Sequence, residues 1–134
     1  MIWTRNAMIF AVAIYCTAIC AADRPEHTKV PLETVKQEVE QKKAVLLDVR
    51  EKREWDRGHI QGAVLLPLSD IQAGVDPQKL ARILPKDKII YAHCARGGRC
   101  LTAAVFLQKA GYQIRPLKPG YNQLLKAGFE KAKD

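Results

Sequence analysis

An alternation of short apolar runs with stretches of helical periodicity is the feature that most constrains how this chain can fold. The runs lie at residues 44–49, 63–66, 88–92 and 113–117. They are short and nearly continuous, as strands are when both faces of a parallel sheet are buried. Between them, apolar residues recur three and four positions apart, which predicts covering helices. The sequence therefore predicts an α/β fold with a parallel sheet flanked by helices on both faces.

The turn after the third apolar run opens with Cys94. Residues 94–99 read Cys-Ala-Arg-Gly-Gly-Arg, and a helical pattern follows over residues 101–110. Backbone N–H groups in such a turn and the positive end of a helix dipole favour negative charge, so they lower the pKa of a thiol and activate it. Arg96 and Arg99 add positive charge for an anionic substrate. From the residues alone, a buried structural cysteine beside a glycine turn is an equal alternative.

The first 22 residues have the layout of a secretory signal peptide. Arg5 is their only charged residue, residues 7–22 are almost entirely apolar, and Cys20-Ala21-Ala22 offers small residues for cleavage. The sequence therefore predicts an exported, periplasmic protein cleaved near Ala22. The alternative is an uncleaved membrane anchor, for which the apolar run is short, because a membrane span needs about 20 residues.

The folded domain is expected to cover residues 30–129. The segment before it, residues 23–29, is polar and contains Pro25, so we expect it to be poorly ordered. Val30-Pro31 is expected to form a brief edge strand. Leu32, Val35 and Val39 then occupy one face of a helix.

The net positive charge could suggest a nucleic-acid partner, but the distribution of the basic residues argues against one. Without residues 1–22 the chain has 112 residues, and the loss of Arg5 leaves 21 basic against 14 acidic residues, a net charge of about +7. The basic residues are scattered and lack a Lys/Arg-rich run or a set of stacking aromatics. We attribute the charge to solvation and to the attraction of small anions.

The number and spacing of the cysteines limit the kinds of site that the chain can form. Cleavage of the N-terminal segment leaves only Cys94 and Cys100, which do not make the disulfide framework of a small secreted domain. His27, His59 and His93 show no metal-ligand spacing around them. We therefore expect neither a metal nor another cofactor, and the pair flanking a glycine turn suggests redox or sulfur chemistry.

Two segments together form a pattern of known type. The first comprises Leu47-Asp48-Val49-Arg50, Glu54-Trp55, Gly58-His59-Ile60-Gln61-Gly62-Ala63 and Pro67, and the second is the loop of residues 94–99. Both resemble the signatures of rhodanese-like domains, the second being similar to their Cys-x-x-Gly-x-Arg active loop. Matching smaller pieces are Ala110-Gly111-Tyr112 and Gly120-Tyr121, so the resemblance covers about residues 30–128.

The resemblance implies a single rhodanese-like domain with a five-stranded parallel sheet, and we expect a monomer. It also implies an enzyme, a sulfurtransferase of the thiosulfate type. In that family the loop cysteine attacks the outer sulfur of a donor such as thiosulfate and becomes a persulfide. A thiophilic acceptor then takes the sulfur; cyanide, a thiol and a protein acceptor are all compatible with this chemistry.

The same resemblance assigns roles to the loop. Cys94 is the nucleophile, and backbone N–H groups of the following residues hold the anionic sulfur. Arg99, together with Arg96, holds the sulfite end of the donor by charge-assisted hydrogen bonds. Alternatives stand for both side chains, a solvated charge for Arg96 and a loop-bracing salt bridge for Arg99. The residues implied in substrate binding are Ala95, Arg96, Gly97, Gly98 and Arg99.

Three further positions of the pattern are interpreted as structural support. Asp48 and Arg50 are expected to form an ion pair under the active loop, with tuning of the site by Asp48 as the alternative. His59 is interpreted as a hydrogen-bonding turn residue. We assign His93 no role in activating Cys94, because adjacent residues of a strand point to opposite faces.

Several alternatives stay open. Cys100, where the family commonly has a hydroxyl residue, could act as a resolving thiol on a Cys94 persulfide or could be a small buried side chain. The whole protein could be a sulfur carrier or thiol-redox module loaded by a partner. A phosphatase or arsenate reductase of related fold is disfavoured, because such enzymes carry five residues between Cys and Arg, whereas this loop has four, from Ala95 to Gly98.

Overall fold

Strands and helices alternate along the chain in the computed structural model, which describes residues 24–133. The strands are β1 (Ala44–Asp48), β2 (Val64–Leu65), β3 (Ile89–His93) and β4 (Gln113–Pro116). The helices are α1 (Leu32–Glu40), α2 (Lys52–Asp56), α3 (Leu68–Ala73), α4 (Pro77–Ile83), α5 (Gly98–Lys109) and α6 (Tyr121–Lys126). Each predicted apolar run matches a strand to within one residue at either end, so the predicted α/β alternation is confirmed.

The strands form one parallel sheet in the order β2-β1-β3-β4. The described residues thus give four strands, and the expected five-stranded sheet is wrong for them. The predicted edge strand at Val30-Pro31 does not form. Only the Thr28 N–H donates to β4, at 2.8 Å from the Pro116 oxygen. The Val30 N–H turns to the Thr28 hydroxyl instead, and Pro31 has no N–H to donate.

Both faces of the sheet are covered, as predicted. Alternate residues of β1 enter two separate hydrophobic cores, with Leu47 in one and Leu46 in the other. The first core lies under α3, α4 and α5, and the second lies under α1 and α6. This burial on both sides explains why the run around β1 is apolar without alternation.

The loop after β3 packs against the turn that precedes α6. The Tyr121 N–H donates to the Cys94 carbonyl at 2.9 Å. Gly120 lies so close to the loop that a Cβ at this position would overlap the Ala95 carbonyl and stand 3.1 Å from the Arg96 nitrogen. The φ angle of Gly120 is −90°, which any residue adopts, so close approach alone requires glycine here.

The predicted signal peptide, residues 1–22, lies outside the described residues. Within residues 24–133, no helix is both long enough and apolar enough to cross a membrane.

We predict that Gly120→Ala destabilises the fold far more than Gly74→Ala. The first adds a methyl group against backbone that cannot yield, and overpacking of this kind costs about 3 kcal/mol or more. The second has open space around it and meets only the backbone strain of φ 94° and ψ 110°, about 1–3 kcal/mol. Urea unfolding of both variants checks the ranking, and equal unfolding midpoints would contradict it.

Candidate active site

Cys94 directly follows β3 and lies at the carboxyl end of the sheet. Helix α5 begins at Gly98 rather than at the predicted residue 101, so the first helical turn contains Arg99 and Cys100. The structure therefore places a thiol at the N-terminal end of a twelve-residue helix, where the dipole favours a negative charge.

The Cys94 sulfur is surrounded by hydrogen-bond donors. The thiol of Cys100 lowers its pKa most, and backbone N–H groups of Cys100, Arg96 and Gly97 lower it further. Burial acts in the opposite direction, yet the pKa of Cys94 falls to about 4. The Gly97 nitrogen lies 3.0 Å from the sulfur. At neutral pH, Cys94 is therefore a thiolate, the form that attacks sulfur.

The backbone of Gly97 makes this arrangement possible. Gly97 caps the N-terminus of α5 with φ 90°, a left-handed conformation that favours glycine. A Cβ here would also lie 2.6 Å from the Lys118 oxygen and 3.1 Å from His27 Nε2. Gly98 lies on the cavity wall and Gly97 does not, so the two glycines play different parts in the turn.

Cys100 is completely buried and faces three acceptors. Its sulfur lies 3.2 Å from the Gly97 oxygen, 3.3 Å from the Leu117 oxygen and within hydrogen-bonding reach of Cys94. The neighbouring Cys94 and burial raise the pKa of Cys100 well above its usual range. Both cysteines are free thiols. A thiol that keeps its proton is a hydrogen-bond donor and a poor resolving nucleophile.

Arg99 is engaged by a carboxylate. Its Nη1 and Nη2 lie 2.6 Å and 2.8 Å from the two Glu54 oxygens. Glu54 also accepts the N–H of Glu51 at the start of α2, at 2.9 Å. The hydrogen bonds from Arg99 lower the pKa of Glu54 to about 2. This geometry matches the bracing salt bridge that the sequence left as the alternative for Arg99.

Arg96 differs from Arg99 in its surroundings. A cavity of about 420 Å³ opens over the loop and is lined by Glu54, Cys94, Ala95, Arg96, Gly98 and Arg99. Among residues 24–133, Arg96 has no carboxylate within ion-pair distance. Its side chain is exposed at the cavity wall. The unpaired positive charge of this wall therefore belongs to Arg96.

Asp48 and Arg50 form the expected ion pair beneath the loop. Arg50 Nη2 lies 2.8 Å from Asp48 Oδ2, and both residues are almost fully buried. The same Nη2 donates to the Gly58 carbonyl at 2.9 Å. The guanidinium also lies 4.1 Å from the ring centre of Tyr121, whose N–H bonds the Cys94 carbonyl. The pair thus connects β1 to the turn that supports the active loop.

Within residues 24–133, neither His59 nor His93 hydrogen-bonds the Cys94 sulfur. His59 stacks on Trp55, with ring centres 3.7 Å apart, and its Nδ1 lies 3.3 Å from the Trp55 carbonyl. His93 is fully buried, 3.7 Å from Asp48 Oδ2, and burial lowers its pKa. A neutral His93 supplies no positive charge to activate Cys94.

Sequence reasoning missed two residues that contact the loop. Glu54 was seen only as part of the family pattern, although its position three residues after Glu51 is a capping-box spacing that brings it to the start of α2. His27 was placed in a segment expected to be poorly ordered. That expectation is wrong for His27 and Thr28, because the Thr28 N–H bonds β4 and His27 Nε2 lies 2.7 Å from the Gly97 oxygen. No local pattern signals this long-range contact.

Over residues 24–133, no group of three or more His, Cys, Asp and Glu side chains lies close enough to hold a metal ion.

Comparison with known proteins agrees with this geometry. Residues 31–127 match the model of the rhodanese-like domain. The chain belongs to the rhodanese-like family. A rhodanese-related protein of Thermoplasma volcanium superposes with a TM-score of 0.65 at 24% identity, covering 81% of this chain and all of that one. The human single-domain sulfurtransferase superposes with a TM-score of 0.62 at 24% identity, over 72% of this chain and 94% of its own. At this identity the two structures support the fold.

Curated relatives place the family in sulfur transfer. The "Probable adenylyltransferase/sulfurtransferase MoeZ" of Mycobacterium tuberculosis is 41% identical over 71 residues, 53% of this chain. The "Putative sulfur carrier protein YrkF" of Bacillus subtilis is 34% identical over 86 residues, 63% of this chain. The matches span only 17% of the first protein and 43% of the second. This rhodanese-like chain is thus related to sulfurtransferases and sulfur carriers through one domain.

We predict that Cys100→Ala raises the pKa of Cys94, whereas Cys100→Ser, which keeps a donor, leaves it low. The thiolate forms as the pH rises through the pKa, so its ultraviolet absorbance in the wild type should reach half its amplitude near pH 4. Titration of each protein against a Cys94→Ser blank measures the shift. An unchanged midpoint in Cys100→Ala would show that the thiol of Cys100 is not an important donor.

Proposed function

We propose that this protein is an exported sulfurtransferase that moves sulfane sulfur from thiosulfate, or a similar anionic donor, to a thiophilic acceptor. The observation that carries the proposal is the Cys94 sulfur at a helix N-terminus, 3.0 Å from the Gly97 nitrogen, where the Cys100 thiol and nearby backbone N–H groups lower its pKa to about 4. It faces a cavity that has an unpaired arginine on its wall. Membership of a family related to sulfurtransferases supports the same reaction.

The first step is attack of the Cys94 thiolate on the outer sulfur of thiosulfate. The new S–S bond forms as the bond between the two donor sulfurs breaks, and sulfite leaves with the electron pair. The product is the anionic persulfide of Cys94, so the total charge is unchanged. Neither half of this exchange needs a proton from the protein, which fits a site with a neutral, buried His93. Nucleophilic catalysis of this kind divides one transfer into two easier steps.

The second step regenerates the Cys94 thiolate from the persulfide. An acceptor such as cyanide or a thiolate attacks the outer sulfur of the persulfide, and the S–S bond breaks toward Cys94. The leaving thiolate is already stabilised by its hydrogen bonds, since the same donors that lower the pKa of Cys94 make it a good leaving group. One set of hydrogen-bond donors therefore serves both steps.

In this reaction Arg96 binds the anionic sulfur donor. Arg99 has two of its three guanidinium nitrogens on Glu54, so its positive charge is already balanced by a carboxylate. Arg96 stands at the same cavity with no ion-pair partner among the described residues. We therefore assign the anionic end of the donor to Arg96, and the bracing of the loop to Arg99.

Export is part of the proposal and rests on the composition of residues 1–22. A positive residue, a long apolar stretch and a small-residue end are the parts of a signal peptide. A periplasmic location would present the enzyme to small sulfur compounds and to exported protein acceptors. A sulfur carrier is the second candidate, because the relative YrkF carries that name.

We predict that the purified protein releases sulfite from thiosulfate when cyanide is present, and that Cys94→Ser abolishes the release. Cys100→Ser should keep measurable turnover, because a hydroxyl can replace the buried thiol as donor. Colorimetric assay of thiocyanate measures the rate. Turnover by Cys94→Ser would refute the proposal. A sulfur adduct on Cys94 by mass spectrometry, without turnover of small donors, would favour the carrier.

We predict that Arg96→Ala raises the KM for thiosulfate about tenfold, since a hydrogen bond to a charged group contributes about 1.5–3 kcal/mol. Arg53→Ala, which removes an equal charge from the exposed face of α2, is the matched control and should leave KM unchanged. Steady-state kinetics at constant ionic strength separate the two. A normal KM in Arg96→Ala, with a raised KM in Arg99→Ala, would show that Arg99 binds the sulfur donor and Arg96 does not.

A further inference from the structure

A histidine outside the matched family segment touches the active loop. Residues 31–127 carry the family match, and His27 precedes them. His27 Nε2 lies 2.7 Å from the Gly97 oxygen. Because a carbonyl oxygen can only accept, Nε2 carries the hydrogen of this bond. The imidazole also lies against Gly97 itself, 3.1 Å from the place that a Cβ would occupy.

The Gly97 carbonyl stands at a sensitive point of the loop. It belongs to the peptide that joins the N-cap to the first residue of α5, and its oxygen lies 3.2 Å from the Cys100 sulfur, as an alternative acceptor for that thiol. In a trans peptide the C=O and the next N–H point in opposite directions. With the oxygen held toward His27 and Cys100, the Gly98 N–H is directed to the other side, where Gly98 lines the cavity. As the first N–H of a helix, it has no acceptor within α5.

We propose that His27 is a positioning residue for the Cys94 site. Its bond to the Gly97 carbonyl fixes the orientation of the Gly97–Gly98 peptide, so that the Gly98 N–H faces the outer sulfur of a Cys94 persulfide. A hydrogen bond from His27 also makes the Gly97 oxygen a weaker acceptor for the Cys100 thiol, so the Cys100 proton stays available to Cys94. The persulfide part of this inference rests on the proposed function, whereas the effect on the Cys94 thiolate does not.

The attachment of the segment that carries His27 does not depend on the imidazole. The Thr28 N–H bonds the Pro116 oxygen at 2.8 Å, and Val30 packs against the core beneath α1 and α6. These two contacts hold the segment against β4. Loss of the His27 side chain should therefore leave the fold in place and act on the loop alone.

The test compares His27→Ala, His27→Gln and, as a matched control, Glu26→Ala. Glu26 is exposed on the same segment and does not line the cavity of Cys94. Glutamine keeps an N–H donor that can reach a carbonyl, so it should restore function if the hydrogen bond is what matters. Three measurements are made on each protein: the ultraviolet titration of the Cys94 thiolate, kcat and KM with thiosulfate and cyanide, and the urea unfolding midpoint.

We expect His27→Ala to move the Cys94 titration midpoint to higher pH and to lower kcat about tenfold, less than the loss from deleting a donor outright. The KM for thiosulfate and the unfolding midpoint of His27→Ala should change little. His27→Gln should restore most of the titration midpoint and of kcat, and Glu26→Ala should match the wild type. His27→Ala with a wild-type titration and kcat would overturn the proposal, as would His27→Gln as impaired as His27→Ala. If the wild type does not use thiosulfate, the donor assignment fails, and the titration still decides the role of His27.

Discussion

A buried negative charge on the Cys94 sulfur is the constraint on which the rest of the structure depends. Burial alone raises the pKa of a thiol, so a thiolate in the interior must be surrounded by donors that outweigh the cost of desolvation. Here the donors are the first residues of α5 and the turn before it. Their directions are set by one left-handed glycine, and a single side chain at Gly97 would collide with the neighbouring backbone.

The fold supplies that geometry by bringing two chain segments into unusually close contact. The loop after β3 and the turn before α6 approach so nearly that only glycine fits at position 120. Tyr121 fixes this turn, and the Arg50 guanidinium lies against the Tyr121 ring. Arg50 is fixed by Asp48, the last residue of β1. A buried ion pair of this kind adds little net stability, and its value is the fixed position it gives to the backbone above it.

The sequence predicted the features that depend on local pattern and missed those that depend on contacts across the chain. Apolar runs located the four strands of residues 24–133, and the position of Cys94 between a strand and a helix predicted the backbone N–H groups around its sulfur. The predicted edge strand at Val30-Pro31 does not form, because the Val30 N–H bonds the Thr28 hydroxyl and Pro31 has no N–H to donate. Strand propensity takes account of neither effect. His27 lies 70 residues from its partner Gly97, and no periodicity encodes such a pair.

The two cysteines have opposite pKa shifts because they compete for one proton. The thiol of Cys100 donates to Cys94, which lowers the pKa of the acceptor and raises that of the donor. Thiol–disulfide exchange requires a thiolate, so Cys100 attacks a persulfide only after losing a proton that its surroundings retain. The carbonyls of Gly97 and Leu117 offer that proton further acceptors and no base. In the reaction that we propose, the pair is therefore asymmetric: Cys94 carries the sulfur, and Cys100 stabilises the charge that allows Cys94 to receive and release it.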